Sequence, residues 1–410
     1  MAPQTSQELV SLVRDLSGAI AGVDSKRGLS VTQREHILRL NRAIQNKVQP
    51  PEDHIIATAF TINLNICIRA CIELGVFELL DSAAPNWLSA PDIARALNAE
   101  ELLITRFMRG VCALNFATEV GPGRFLANDV THALVQPPLA AGFSLMFDNA
   151  ARPKSNLWSH MERFRQHGYK SPFDAKDGPY QHANDCVGMT TFEHWMTDPA
   201  ESARFNTFMK GVRGSRPNWY TWFDVQMLLG GGGASGCDAE DEVFMVDVAG
   251  GYGHDLDAFL QRHGDQVQGR VILQDLPGVV DAIEPGSISN RIEIQRHDFF
   301  TAQPVRGARV YFMHMIMHDW PDDDCVRILT HLRDAMRRDH SQILINDMIL
   351  PDTQCPLIAT GMDITMMAHH CGVERNEDMW RSLIAKVDGL ELIKIWHPPE
   401  GEGILQVSRK

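Results

Sequence analysis

Residues 246–256 read VDVAGGYGHDL. An apolar run beginning at Val243 ends in a glycine-rich turn, and a helix is expected from His254. The same alternation of strand and helix continues downstream through RVILQD, LPGVVDAI, RIEIQRHD, ARVYFMHM, a helix from Pro321, and SQILINDMIL. Strands separated by helices make a parallel sheet covered on both faces, an α/β fold. The last stretch, LELIKIWHPPEGEGILQVSRK, reads as two strands about a Pro-Gly turn, expected as an antiparallel hairpin at or near the sheet edge.

In such sheets ligands sit at the carboxyl ends of the strands, where small residues let backbone amides approach them. A dinucleotide fingerprint needs G-x-G-x-x-G, but the frame starting at Gly251 places Leu256 where the third glycine belongs. A dinucleotide is therefore disfavoured. The glycines of 230–242, GGGGASGCDAEDE, are followed by no lysine, which excludes a phosphate-binding P-loop and leaves a flexible connection. Asp275 ends the second strand, about two dozen residues past the glycines, where a carboxylate takes both hydroxyls of a ribose. The third ends in His297-Asp298-Phe299, an acid and an aromatic suited to an adenine. A glycine turn, a ribose acid and an adenine pair describe a nucleoside without its phosphates, and S-adenosyl-L-methionine fits.

Upstream, IIATAFTINLNICIRACIELGVFELL (55–80) is apolar on nearly every face, yet Asn63, Asn65, Arg69 and Glu73 interrupt it, and no run is expected to reach the length of a membrane span. A helix of this kind needs cover on several sides, so it is expected in an intertwined dimer core, the alternative being the central helix of a monomeric bundle. Ser89 with Pro91 and Asp92 starts one helix, a second runs from about Glu100, and FATEV-GPG-RFLA forms a hairpin. This is a winged-helix pattern. Its second helix carries Arg106 and Arg109 among apolar residues and lacks the basic face of a DNA reader. The reading gives three segments: 1–135, a helical winged-helix-like dimerisation domain; 136–229, connecting helices that contribute to a substrate pocket; and 230–410, the cofactor-binding catalytic domain.

The 410 residues include 38 basic and 52 acidic side chains, a net charge of −14 that as a field repels nucleic acid and anionic lipid. The eight cysteines form no CxxC pair, and the N-terminus resembles no targeting segment, so reduced thiols and a cytoplasmic location are expected.

From the helix near residue 55 to the C-terminus, the chain resembles the plant and fungal small-molecule O-methyltransferases, which include caffeate and isoflavone enzymes. VDVAGGYG matches the family's VDVGGGxG, Asp275-Leu276-Pro277 its DLP, and His318-Asp319-Trp320 its HDW. The resemblance implies a class I methyltransferase Rossmann-like sheet and a homodimer formed through the N-terminal domain. It implies His318 as catalytic base, with Asp347 and Glu374 as acids that hold it. Gly250, Gly251, Asp275, Leu276, Asp298, Phe299 and His314 would meet the cofactor, and Met209 and Met366, with His370 beside them, the substrate. Two departures stand out: Ala249 replaces the first glycine of the turn, where Ala still leaves room, and His314 stands where a Lys or Arg usually meets the cofactor.

The stretch HMIMHDWPDDDC (314–325) can be read as a metal site, a base or a solvated turn. His314 and His318 share a face at i, i+4 only on a helix, whereas VYFMHM is strand-like, so no metal is expected. A histidine just past a strand end, beside a bound cofactor, is placed to take a proton from a substrate hydroxyl. Glu374 or Asp347 would accept from its other nitrogen. Asp322, Asp323 and Asp324 follow Pro321 at a helix start and are structural. The expected activity is methylation of a phenolic or enolic secondary metabolite. The rival comes from fungal relatives of this fold that bind S-adenosylmethionine yet catalyse pericyclic or dehydration reactions without methyl transfer.

Overall fold

The computed structural model describes residues 3–23, 28–151, 161, 163–209, 217–229, 242–353, 355–398 and 401–410. The expected flexible connection at 230–242 lies, apart from Glu242, outside them. The chain divides into two units, Met1–Phe147 with Thr207–Val212 and Asp148–Asn206 with Arg213–Lys410. Residues 136–229, read as a connector, are shared between the two.

In the first unit, Ser89 caps the helix Ala90–Ala96 by accepting from the Asp92 N–H at 3.2 Å. The helix Glu101–Ala113 follows, and β1 (Leu88–Ser89), β2 (Thr118–Gly121) and β3 (Arg124–Leu126) form a sheet in the order β1-β3-β2. The winged-helix pattern is therefore present. Its core gathers Ile68, Phe77, Leu80, Ile93, Ile104, Met108, Val111 and Phe125. The long helix Pro51–Leu74 contributes only two buried residues, Ile68 and Cys71. Ile55, Ile56, Phe60, Ile62 and Ile66 are exposed. Among the described residues it is the one helix long and apolar enough to cross a membrane, which corrects the expectation that no run reaches that length. The helix Pro51–Leu74 still carries Asn63, Asn65 and an Arg69–Glu73 ion pair.

The second unit is built on β4 (Val243–Val248), β5 (Arg270–Asp275), β6 (Ile292–Arg296), β7 (Val310–His314), β8 (Gln342–Asp347), β11 (Leu390–Trp396) and β12 (Gly403–Arg409), ordered β11-β12-β8-β7-β4-β5-β6. A short parallel pair, β9 (Ile349–Leu350) with β10 (Arg375–Asn376), stands apart. The five strands from β8 to β6 are parallel, and β12 joins β8 antiparallel with β11 outside it, so the C-terminal hairpin extends the edge as expected. Alternate residues face opposite sides of a strand. Val310 and Phe312 enter one core with Trp219 and Phe259, while Tyr311 and Met313 enter the other with Trp320 and Trp380.

The turn after β4 carries the chain to the cofactor end of the sheet. Ala249, Gly251 and Gly253 all have positive φ, at 59°, 59° and 77°. A Cβ on Gly250 would collide with the Asp247 carboxylate, so only glycine fits there. At Ala249 the constraint lies in the backbone rather than in room, because an L side chain in the left-handed region costs roughly 1–2 kcal/mol. Ala249→Gly should therefore stabilise the protein by about 0.5–1 kcal/mol after the entropy of the added glycine is set against it. A denaturation midpoint that is unchanged or lower in that variant would show that the turn is not strained at this position.

Candidate active site

The Asp275 carboxylate sits across from the glycine turn, accepting from the Gly251 N–H at 2.8 Å and the Leu276 N–H at 2.7 Å. Burial raises its pKa, against the pull of those two donors. Nothing lies within 4 Å of where a Cβ on Gly251 would stand, so the turn leaves open space in front of its backbone. Asp247 behind it is buried, with Oδ2 lacking a hydrogen-bond partner among the described residues. Burial, reinforced by the charges of Asp255 and Asp275, holds Asp247 well above the usual carboxylate range. After β6, the Asp298 carboxylate accepts from the Phe300 N–H at 2.9 Å, and Phe299 packs edge-on to Trp320. An open glycine cradle beside a strand-end carboxylate and an acid-aromatic pair suits a nucleoside with a short polar tail.

His314 ends β7, and its Nδ1 lies 2.5 Å from Asp255 Oδ2 on the helix His254–His263. That acid, in the first turn after the glycines, had no place in the sequence reading. His318 turns elsewhere: it sits in a 3-10 turn, Met317–Asp319, and its Nδ1 is 2.6 Å from Glu374 Oε1. The two histidines face different partners, and among the described residues no group of three His, Cys, Asp or Glu side chains is arranged to hold a metal ion.

The expectation left two acids open for the ring, and the geometry selects Glu374. Asp347 holds the turn instead, its Oδ2 accepting from the Met317 N–H at 3.1 Å. A third acid, Asp319, was not expected to act on the ring; its Oδ1 lies 3.6 Å from His318 Nε2. His318, Asp319, Asp347 and Glu374 are all buried. Burial alone would pull the imidazole down, but the carboxylates of Asp319, Glu374 and Asp347 outweigh it and push His318 up to about 10. Burial raises Asp319 to about 7 and Asp347 to about 6, against the pull of His318.

The residue that assembles this cluster is Arg375, fully buried one position after Glu374. Its guanidinium donates to the carbonyls of Met317 at 3.0 Å and Trp320 at 2.9 Å, and it pairs with Asp322 at 2.9 Å. Asp322 is thus more than a helix-start acid. The Val373 N–H donates to the His318 carbonyl at 3.0 Å, and a Cβ on Gly372 would strike that same carbonyl. The segment bearing Glu374 is packed directly onto the turn bearing His318.

Of the expected substrate residues, Met366 and His370 are buried on the helix Leu357–His370 in the same unit. Met209 is exposed and belongs to the other unit. Met313 and Met317, which crowd this part of the sequence, are fully buried in the sheet core.

Residues 169–389 match the family model of the O-methyltransferase domain, and residues 57–137 that of the O-methyltransferase dimerisation domain. The chain belongs to the O-methyltransferase family. The match to the dimerisation domain takes in most of the exposed apolar helix Pro51–Leu74. Similar fungal members are O-methyltransferase asqD of Emericella nidulans, 37% identical over 84% of this chain and 87% of that one, and O-methyltransferase penC of Penicillium thymicola, 33% identical over 92% and 91%. Among solved structures, LepI in complex with S-adenosylmethionine is 26% identical, with a TM-score of 0.85 over 99% of this chain and 100% of that one. A structure described as a pericyclic reaction enzyme is 26% identical at a TM-score of 0.84 over the same shares of the two chains. The methyl donor of this O-methyltransferase is S-adenosylmethionine, in agreement with the nucleoside site read from the strand ends.

The charge on His318 in this O-methyltransferase can be read directly. In protein carrying ¹⁵N-labelled histidine, the His318 ring should remain protonated well above pH 8. In Glu374→Gln its titration should move down by about 1–2 pH units, because a neighbouring carboxylate is lost. A wild-type midpoint near that of free histidine would contradict the cluster.

Proposed function

We propose that this chain methylates a hydroxyl of a phenolic or enolic small molecule with His318 as general base. The observation that carries the reading is the 2.6 Å contact of His318 Nδ1 with Glu374. A ring whose Nδ1–H is bound to a buried carboxylate presents Nε2 to a substrate. Bound S-adenosylmethionine supplies a sulfonium methyl open to in-line attack. Gly250, Gly251, Asp275 and Leu276 would hold it, with Asp298 and Phe299 toward its adenine and His314 near the strand end.

A phenol is a poor nucleophile until it loses its proton. Phenols ionise near pH 10, and the carboxylates around His318 raise its basicity, so in the fraction of enzyme whose ring is neutral the proton passes from the hydroxyl to Nε2 at little cost, and turnover should rise with pH as that fraction grows. The imidazolium then rests among Glu374, Asp319 and Asp347. The oxyanion takes the methyl, leaving a methyl ether and a neutral thioether, and the proton leaves His318 before the next turnover. Most of the remaining acceleration would come from positioning in a site shielded from water.

The likeness to a pericyclic reaction enzyme across nearly the whole chain favours a second reading, in which the donor stays intact and His318 and Asp319 move protons on a substrate that rearranges. Formation of S-adenosylhomocysteine with a substrate gaining one methyl separates the two. We also infer a homodimer through the exposed apolar face of Pro51–Leu74, and work in the cytoplasm, which the unpaired described cysteines favour.

His318→Ala should lower kcat by about 10²–10⁴-fold, the usual range for a lost general base, with affinity for S-adenosylmethionine close to wild type. Asp275→Ala should do the opposite, weakening cofactor binding by about tenfold or more as a charged acceptor is lost. Calorimetry and turnover together test the pair; unchanged turnover in His318→Ala, or unchanged affinity in Asp275→Ala, would remove that residue from its role. Phe60→Asp should shift the protein toward monomer by light scattering, whereas a dimer of undiminished stability would place the interface elsewhere.

A further inference from the structure

The helix Leu357–His370 reads LIATGMDITMMAHH, and Asp363 in its middle is its one acid. Aspartate is a poor helix former, so its place between Met362 and Ile364 asks for a reason. Its partner lies outside the helix. Asp363 Oδ1 accepts from the backbone N–H of Glu374, eleven residues on, at 3.1 Å.

The way the helix ends brings the two together. Cys371 caps it in the left-handed region, with φ 57°, and the chain leaves the helix there. Four successive residues are then tied down. The Gly372 N–H donates to the Met366 carbonyl at 3.2 Å and the Val373 N–H to the His318 carbonyl at 3.0 Å. The Glu374 N–H donates to Asp363, and the Arg375 guanidinium holds the carbonyls of Met317 and Trp320. Two of the three N–H groups rest on backbone carbonyls, which any sequence offers. The third, that of Glu374, rests on a side chain. Glu374 is buried, so without Asp363 this donor would lose its partner away from water. The carboxylate is itself held at a cost: burial raises the pKa of Asp363 against the pull of the Glu374 N–H, and the charge of Glu374 adds to the rise.

We propose that Asp363 is a positioning residue for the His318–Glu374 pair, fixing the backbone from which the Glu374 carboxylate reaches His318 Nδ1. That contact is 2.6 Å long, and hydrogen bonds weaken steeply as their angle is lost. Asp363 acts through Glu374 and takes no part in moving the proton or the methyl. The consequence for turnover rests on the reading of His318 as the base; the effect on the ring does not. Asp319, Asp347 and His370 also bear on that ring, and Arg375 holds its turn, so the hold of Glu374 is one of several and its loosening should be graded.

The His318 ring is titrated in full-length protein carrying ¹⁵N-labelled histidine, beside the pH profile of kcat. In Asp363→Ala the midpoint should fall by about 0.5–1 pH unit, part of the effect of losing the Glu374 charge itself. The rising limb of kcat should move down with it, because the neutral ring is then reached at lower pH, while KM for S-adenosylmethionine stays near wild type. Asp363→Asn keeps an acceptor for the N–H and should recover both. The Glu374 amide should exchange with deuterium about tenfold faster in Asp363→Ala than in wild type, as expected for one lost hydrogen bond. An unmoved His318 midpoint in Asp363→Ala, or an equal shift in Asp363→Asn, overturns the proposal. So does a wild-type Glu374 amide that exchanges as fast as an unbonded one, a result open even if the alanine variant does not fold. Titration and exchange need no turnover, so both can hold while no methyl is transferred, which would contradict the methyltransferase reading alone.

Discussion

The contact between His318 Nδ1 and Glu374 Oε1, 2.6 Å long and closed off from solvent, is the constraint around which the second unit is organised. Two groups that water would solvate well are held in a low-dielectric interior, where their desolvation must be offset by accurate geometry and further polar partners. Removing one partner of such a pair leaves a buried charge uncompensated, at a cost of roughly 3–5 kcal/mol. The protein supplies the partners from three elements at once: Asp347 from the end of β8, Asp319 from the turn itself, and Arg375 from β10. Against four carboxylates, counting the Asp322 that pairs with Arg375, stand one imidazolium and one guanidinium. That excess of negative charge keeps His318 eager for a proton.

The sheet serves the same end. β7 and β8 are adjacent and parallel, so their carboxyl ends deliver His314 and Asp347 side by side and lead the chain into the His318 turn. β4 and β5 are the next pair along, and their ends present the glycine turn and Asp275. The proposed donor site and the proposed base thereby lie along one edge of one sheet, where parallel strands collect their carboxyl ends.

What could be read in the sequence was what is local. Strand alternation, the glycine turn, Asp275 and the histidine after β7 are each set by a few consecutive residues, and the backbone follows them. What escaped is contact across chain distance. His318 meets Glu374 56 residues away and His314 meets Asp255 59 residues away, so neither pairing has a local signal. Arg375 was legible only as the residue after Glu374, although it clamps two carbonyls of the His318 turn. Ala249 looked harmless because side-chain volume is visible in a sequence and backbone φ is not. Met313, on β7 close to the site, is core because strand alternation turns it inward.

The central claim is that His318 takes the proton of the substrate hydroxyl. It is tested most directly by the ultraviolet spectrum of a bound phenol in the ternary complex with S-adenosylhomocysteine, in wild type and in His318→Ala, at a pH well below the phenol's own pKa. Phenolate absorption is expected in the wild-type complex and none in the variant. A neutral phenol in both, or a phenolate in both, would contradict it.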